Sequence, residues 1–107
     1  MNNKQYVINV LNDNKIKTIY KLLNYDFQIN IYKNHIMIDI YKQHFFKNSI
    51  NVYFNNEHIF VDVFNLNNEI FNKYKFIESQ HINRFRSNIS KHKLKNLIID
   101  LISYKNN

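Results

Sequence analysis

The chain of 107 residues contains no Gly, Pro, Cys or Trp, and its formal net charge at pH 7 is +7. Its length is that of one ordinary domain, and we expect residues 1–107 to fold as a single unit. The missing cysteine excludes disulfides, thiolate metal ligands and a cysteine nucleophile. The missing glycine argues against a phosphate-binding loop, a dinucleotide-binding fingerprint and a nucleophile elbow.

The first predicted element is helical and covers residues 3–24, where apolar residues recur at the i, i+3, i+4 spacing of an amphipathic helix. The spacing shifts at residues 12–14. This shift predicts either a kink or a break into two short helices, with Asp13 or Asn14 as the second N-cap. The two apolar clusters are Tyr6, Val7, Val10 and Leu11, then Ile16, Ile19, Tyr20 and Leu23.

The period then changes to two, which predicts two β-hairpins. Their two-residue turns are Lys33–Asn34 and Asn56–Glu57. Each hairpin has a register in which apolar residues face apolar residues, and a shift by one residue would destroy that match. The predicted pairs are Phe27–Ile40, Ile29–Ile38 and Ile31–Ile36, then Val52–Val61 and Phe54–Ile59. Joined by residues 42–48, the hairpins form a four-stranded antiparallel meander.

The last third is predicted to be mostly helical. A stripe of Ile70, Tyr74, Ile77 and His81 favours a helix over residues 67–86, although Tyr74 and Phe76 also fit a strand. Residues 87–90 are predicted to be a loop or cap. Residues 91–104 form the clearest helix, with one apolar face made of Leu94, Leu97, Ile98, Leu101 and Tyr104. The fold class is therefore α+β, with an N-terminal helix and one or two C-terminal helices packed on one face of the meander.

The charge is distributed unevenly along the chain. Residues 1–70 carry seven Lys against six acids, whereas residues 71–107 carry six Lys and two Arg against Glu78 and Asp100. The abundance of Asn, Ile, Lys, Phe and Tyr, all encoded by AT-rich codons, predicts an AT-rich genome such as that of a phage or mobile element. Codon bias should raise the lysine content evenly along the chain, so the basic C-terminal segment has a further cause or arises by chance.

That segment predicts an anion site at the start of the last helix. Three of its lysines fall in the first turns, where the helix dipole is already positive and acids are the usual choice. Free N–H groups, a serine cap and surrounding cations together favour a polyanion, and a solvated lysine face is the alternative. We therefore expect a small non-enzymatic accessory protein that contacts nucleic acid or a nucleoprotein complex. The candidate nucleic-acid-binding residues are Arg84, Arg86, Ser90, Lys91, Lys93 and Lys95.

The alternative is a protein-binding inhibitor of a host or defence complex, as anti-CRISPR proteins are. Its contact surface would be the outward face of the sheet, because exposed aromatic residues are enriched at interfaces. The candidate residues are Tyr32, Tyr41, Tyr53, Phe60 and Phe64. Coverage of this face by residues 67–86 is a further alternative. Nucleic acid is less favoured there, because the predicted strands contain acids but neither Lys nor Arg.

Catalysis and metal binding are not expected. The histidines His35, His44, His58, His81 and His92 show no metal-ligand spacing. A predicted row of Gln28, Asp39, Asn51 and Asp62 across the sheet would hold two carboxylates roughly 9–10 Å apart. A polar row of this kind is the ordinary composition of a solvent-facing sheet. We therefore expect no enzyme, no cofactor and no metal, while the oligomeric state is left open.

Cellular location is predicted from absent signals. No apolar run approaches the roughly 18–20 residues of a membrane span. Residues 1–5 lack the charged-then-apolar arrangement of a secretory signal peptide. We expect an intracellular, cytoplasmic protein that makes no membrane contact.

Overall fold

A computed structural model describes residues 2–80 and 83–103. Its described part contains four helices on one side of a six-stranded sheet. The helices are α1 (Asn3–Leu11), α2 (Asn14–Leu23), α3 (Asn68–Lys73) and α4 (Lys91–Ser103). The strands are β1 (Asp26–Ile31), β2 (His35–Lys42), β3 (Phe45–Phe54), β4 (Ile59–Phe64), β5 (Ile77–Glu78) and β6 (Arg84–Ile89).

The N-terminal segment forms two separate helices, which is one of the two predicted alternatives. The carboxylate of Asp13 accepts a hydrogen bond from the N–H of Lys15 and so caps α2. Asn2 caps α1 in the same way by accepting from the N–H of Gln5. Asn24 ends α2 in the left-handed conformation with φ of 56°, which asparagine tolerates better than most residues. Asparagine therefore supplies turn and cap chemistry in a chain without glycine.

The sheet is antiparallel throughout and has the order β1-β2-β3-β4-β6-β5. Both predicted hairpin registers are confirmed, with Ile29 opposite Ile38 and Val52 opposite Val61. The prediction of a four-stranded meander is wrong in strand number. β5 and β6 extend the sheet beyond β4, and β6 pairs directly with β4.

The two added strands come from the segment that was predicted to be helical. α3 ends at Lys73, and Lys75 has a positive φ of 55° that turns the chain out of the helix. Ile77, a member of the predicted helical stripe, is 66% exposed in β5. Residues 87–89, predicted as loop, belong to β6. His81 lies outside the described residues.

Ser87 explains why β6 does not look like a core strand in the sequence. Its inward positions are Phe85, Ser87 and Ile89, as their pairing with buried β4 residues requires. Ser87 is only 3% exposed, and its hydroxyl donates to the carbonyl of Tyr74 at 2.6 Å. A polar side chain at the middle of the strand interrupts the apolar alternation, while its hydrogen bond removes the cost of burial.

One hydrophobic core lies between the helices and the sheet. All four helices contribute buried side chains to it, and the strands contribute alternate residues. We call the sheet surface that faces the helices the inner face and the opposite surface the open face. Core residues with no measurable exposure include Val7, Ile16, Ile36, Ile38, Ile50, Val52, Val61, Val63, Leu94, Leu97 and Ile98. The predicted apolar face of α4 is thus buried, apart from Tyr104, which lies outside the described residues.

None of the helices in the described ranges combines the length and the apolar character that crossing a membrane requires.

Candidate functional site

The N-terminal ends of α2 and α4 meet in the helix layer. The ammonium of Lys95, in α4, lies 3.0 Å from a carboxylate oxygen of Asp13, the N-cap of α2. The hydrogen bond from Lys95 lowers the pKa of Asp13, and the N–H groups at the helix start act in the same direction. The contact places the first turns of two helices side by side, far apart in sequence.

The first turn of α4 is also attached to α1. The Tyr6 hydroxyl donates to the carbonyl of Lys91 at 2.7 Å. The ammonium of Lys91 lies 5.6 Å from the centre of the Tyr6 ring, within the range of a cation–π contact. The carbonyl of Ser90, immediately before the helix, accepts from the N–H of Lys93 at 3.0 Å. Four of the six predicted binding residues, Ser90, Lys91, Lys93 and Lys95, therefore lie at a helix start that contacts α1.

These contacts place α1 and α2 beside the start of α4, and both helices carry lysines that the sequence interpretation did not include. α1 and α2 contain no acidic residue, and Asp100 is the single acid of α4 in its described length. Asp100 lies near the other end of α4, where the ammonium of Lys73 contacts it at 2.9 Å. We call the seven lysines of the three helices the basic helix surface: Lys4, Lys15, Lys17, Lys21, Lys91, Lys93 and Lys95.

Arg84 and Arg86 lie on the other side of the molecule. Both are in β6 and alternate with its inward residues, so they occupy the open face. Arg84 Nε is 3.2 Å from one carboxylate oxygen of Asp62, and an Arg86 Nη atom is 3.2 Å from the other. The Asp62 side chain is only 7% exposed, so two guanidinium groups compensate one nearly buried carboxylate. The six residues predicted to bind nucleic acid are therefore divided between two surfaces.

The open face also carries an aromatic stack. The His35 ring lies between Tyr32 and Tyr53, with centroid distances of 4.5 Å and 4.9 Å. Interplanar angles of 19° and 21° make both contacts stacked. The Arg86 guanidinium lies 5.7 Å from the Tyr53 ring centre and extends the stack toward β6. Sequence reasoning missed His35, because its position opposite Tyr53 depends on the β2–β3 register, which was predicted two residues away from the observed one.

The other predicted aromatic residues are not part of this stack. Tyr41 makes an edge contact with Phe46 at 5.9 Å, near the turn between β2 and β3. Phe60 lies 5.9 Å from His58. Phe64 is opposite Arg84 in the sheet and is 38% exposed. No helix covers these positions in the part of the chain that the structure describes, so coverage by residues 67–86 is not observed.

The predicted row of two carboxylates is not formed. Gln28 faces Asp39 and Asn51 faces Asp62 as predicted, but Asp39 faces Ser49 instead of Asn51. The reason lies in residues 42–48, which are mainly strand with a tight turn at Gln43 and His44, both at positive φ. A register irregularity between Ile40 and Tyr41 then moves the pairing by one residue along β3. The arrangement on which a paired-carboxylate reaction would depend is absent among the described residues.

The two surfaces differ in charge. The open face has three acids, Asp26, Asp39 and Asp62, and the arginines there are engaged by Asp62. On the basic helix surface, the Asp13 carboxylate contacts Lys95, and Glu57 lines a shallow pocket together with Ser90 and Lys91. Within residues 2–80 and 83–103, no three His, Asp or Glu side chains gather in a way that could hold a metal ion.

In comparisons with known proteins, no family model, no curated protein and no solved structure matches the chain.

Proposed function

We propose that this is a non-enzymatic accessory protein that binds the phosphate backbone of nucleic acid through the basic helix surface. The observation that carries the proposal is the 3.0 Å contact between Lys95 and Asp13. It joins the lysines at the start of α4 to those of α2, so the cations form a surface instead of a short segment. The abundance of amino acids with AT-rich codons agrees with a phage or mobile element as its source.

The electrostatics of the two helix starts support an anionic partner. A helix N-terminus carries a partial positive charge that attracts phosphate. In α2 the Lys15 N–H is already bound by Asp13, and in α4 the Lys93 N–H is bound by the Ser90 carbonyl, so the attraction rests on the partial charge and the lysines. Lys91 and Lys93 in α4, and Lys15 and Lys17 in α2, add full charges to the same ends, and all four are exposed. This placement opposes helix stability, because cations are favourable near the C-terminus instead. A bound polyanion would relieve that repulsion.

The proposed contact is with phosphates, so it should be insensitive to base sequence and strongly weakened by salt. Each phosphate contact adds about 0.7–0.9 to the slope of log affinity against log salt concentration. Arg84 and Arg86 are left out of the proposed interface, because they lie on the open face and already compensate Asp62.

The test is fluorescence anisotropy with labelled duplex DNA, single-stranded DNA and RNA over a range of salt concentrations. The parent should bind at low salt, and Lys91→Gln/Lys93→Gln should bind more weakly with a salt slope reduced by about one unit per lost contact. The matched control is Lys47→Gln/Lys75→Gln, which removes two exposed lysines outside the three helices. No binding by the parent at low salt, or equal losses in both variants, would refute the proposal.

A protein partner on the open face is the second candidate, and the stack of Tyr32, His35 and Tyr53 favours it. Tyrosine and arginine are common energetic centres of protein interfaces, and Arg86 adjoins the stack. On this hypothesis the protein is an inhibitor of a host or defence complex. It predicts that a protein captured from nuclease-treated host lysate is lost with Tyr32→Ser but kept by Lys91→Gln/Lys93→Gln. The nucleic-acid proposal predicts that capture ends with nuclease treatment.

A further inference from the structure

β1 is an outer strand of the sheet, and no other strand of the described residues pairs with its free edge. It has six residues, whereas β5 at the opposite edge has two. Proteins commonly protect outer strands with lysine, proline or a bulge, and β1 contains neither residue and pairs regularly with β2. On its inner face Ile29 and Ile31 are 42% and 54% exposed. The strand therefore offers both backbone and apolar side chains to a partner.

The hydrogen-bonding groups on the free edge follow from the hairpin geometry. The Tyr32 N–H donates to the His35 carbonyl at 2.9 Å, so Tyr32 is turned toward β2. Because antiparallel ladders alternate, Gln28 and Asn30 are also turned toward β2. The N–H and C=O groups of Phe27, Ile29 and Ile31 then point away from the sheet.

These outward N–H and C=O groups can pair with the same groups of a second copy. A two-fold axis perpendicular to the sheet, passing beside Ile29, would place that residue opposite Ile29 of a second copy. Phe27 of each copy would then face Ile31 of the other. All three residues have outward backbone groups, so every pair in this register can exchange two hydrogen bonds. The exposed isoleucines of both copies would meet on the same face of the joined sheet.

The charges at the ends of β1 favour the same arrangement. Asp26 begins the strand and Lys33 follows it in the turn, and both are exposed. Neither residue has an ion pair within the described chain. Antiparallel pairing brings Asp26 of each copy beside Lys33 of the other, whereas parallel pairing would bring like charges together.

We propose that two copies of this chain pair through β1 in antiparallel orientation and form one continuous sheet of twelve strands. The occupant of the free edge is thus a second copy. The two-fold axis keeps the helices of both copies on the same side of the joined sheet. The proposal is independent of nucleic-acid binding, because it uses none of the lysines of the basic helix surface.

Sedimentation velocity over a range of protein concentrations tests the pairing. The full chain should approach twice its monomer mass of 13.2 kDa at high concentration. Ile29→Pro should abolish the dimer, because it removes an outward N–H that β2 does not use. Ile29→Lys should also abolish it, and the matched control Ile77→Lys, on the opposite sheet edge, should not. Circular dichroism should show that all variants remain folded.

A charge exchange tests the antiparallel orientation. Asp26→Lys should weaken the dimer, and Asp26→Lys/Lys33→Asp should restore it. Because the chain has no cysteine, Ile29→Cys provides a single reporter. Hydrogen-bonded antiparallel neighbours have Cα atoms about 5.5 Å apart, a distance that a disulfide can span. Mild oxidation should link Ile29→Cys chains, whereas Ile77→Cys chains should stay separate.

Three results would overturn the proposal. If the protein is a monomer at every concentration, the free edge of β1 does not bind a second copy. Another partner, such as an extended peptide, would then have to occupy it. A dimer that survives both Ile29→Pro and Ile29→Lys would place the interface elsewhere. Failure of the exchanged charges to restore the dimer lost in Asp26→Lys would exclude the antiparallel register.

Discussion

Lys95 in the first turns of α4 contacts Asp13, the residue that caps α2, at 3.0 Å. Asp13 therefore has two roles: its carboxylate accepts from the backbone N–H of Lys15 and also pairs with the Lys95 ammonium. One side chain thus both begins a helix and connects that helix to α4. The lysines on the two helix starts are held near each other by the single carboxylate between them.

Asp13→Asn separates these two roles. Asparagine is about as good an N-cap as aspartate, so α2 should still form. The substitution removes the ion pair and one negative charge beside the basic helix surface. We expect a small loss of stability and tighter nucleic-acid binding with a steeper salt dependence. Anisotropy titrations and urea unfolding measure the two effects, and weaker binding by this variant would contradict the proposed interface.

The pH dependence of Asp13→Asn follows from the lowered pKa of Asp13. A carboxyl group with a lower pKa in the folded state stabilises the fold above its unfolded pKa of about 3.9, and that contribution disappears as the pH falls through the folded value. The parent should therefore exceed Asp13→Asn in stability at pH 7, and the difference should close under acid. Unfolding curves at pH 7 and at a pH below the folded pKa of Asp13 measure this difference in stability. A difference that grows as the pH falls would contradict the prediction.

Lys15→Gln/Lys17→Gln tests whether α2 belongs to the interface. If the two helix starts act together, this variant should lose affinity and salt dependence to about the same extent as Lys91→Gln/Lys93→Gln. The lysines are exposed, so thermal stability should be unchanged or slightly higher. Anisotropy at one fixed low salt concentration compares the two variants directly. Retained affinity would restrict the interface to the C-terminal segment.

The hairpins could be predicted because their information is local. Ile29 opposite Ile38 and Val52 opposite Val61 follow from alternation and a two-residue turn. β6 has no such local signal, because Ser87 stands at a core position. Its burial depends on a carbonyl that Tyr74 supplies from another element. The strand could be identified only once the rest of the sheet was known.

Only part of the candidate site could be predicted, because local periodicity does not determine which elements pack together. Periodicity shows that Lys15 and Lys17 face solvent, but it does not show which helix lies beside α2. That neighbour is determined by tertiary packing, through the contact of Asp13 with Lys95. Conversely, Arg84 and Arg86 are close to the α4 lysines in sequence, yet the strand places them on the open face.

Leu97→Ala and Ile98→Ala test the packing of α4 on the core. Both side chains are fully buried, so each truncation should destabilise the fold by about 2–5 kcal/mol. Urea unfolding measures the change in the free energy of unfolding, with one common dependence on urea concentration fitted to all variants. Asn96→Ala, at an exposed position of the same helix, is the control and should change stability by less than about 0.5 kcal/mol. Core variants that unfold like the parent would show that α4 is not packed as described.

The arginines of β6 provide the sharpest contrast with the lysines of α4. Arg84→Gln/Arg86→Gln removes the same charge as Lys91→Gln/Lys93→Gln, so any difference between them reflects position. It leaves the Asp62 carboxylate, with a side chain 7% exposed, without either guanidinium. Losing the partners of a buried charge costs about 3–5 kcal/mol. The Arg84 and Arg86 side chains are 35% and 49% exposed, so solvent screens the pair and the expected loss is smaller, about 2–3 kcal/mol.

Adding Asp62→Asn to the arginine variant should recover much of that loss, because the buried group is then neutral and needs no cation. Nucleic-acid affinity, measured below the unfolding temperature, should fall less in Arg84→Gln/Arg86→Gln than in the lysine variant. Urea unfolding measures the stability of these variants, and anisotropy measures their affinity for nucleic acid. If the arginine variant stays stable and loses more affinity than the lysine variant, nucleic acid binds the open face, and the basic helix surface is not the interface.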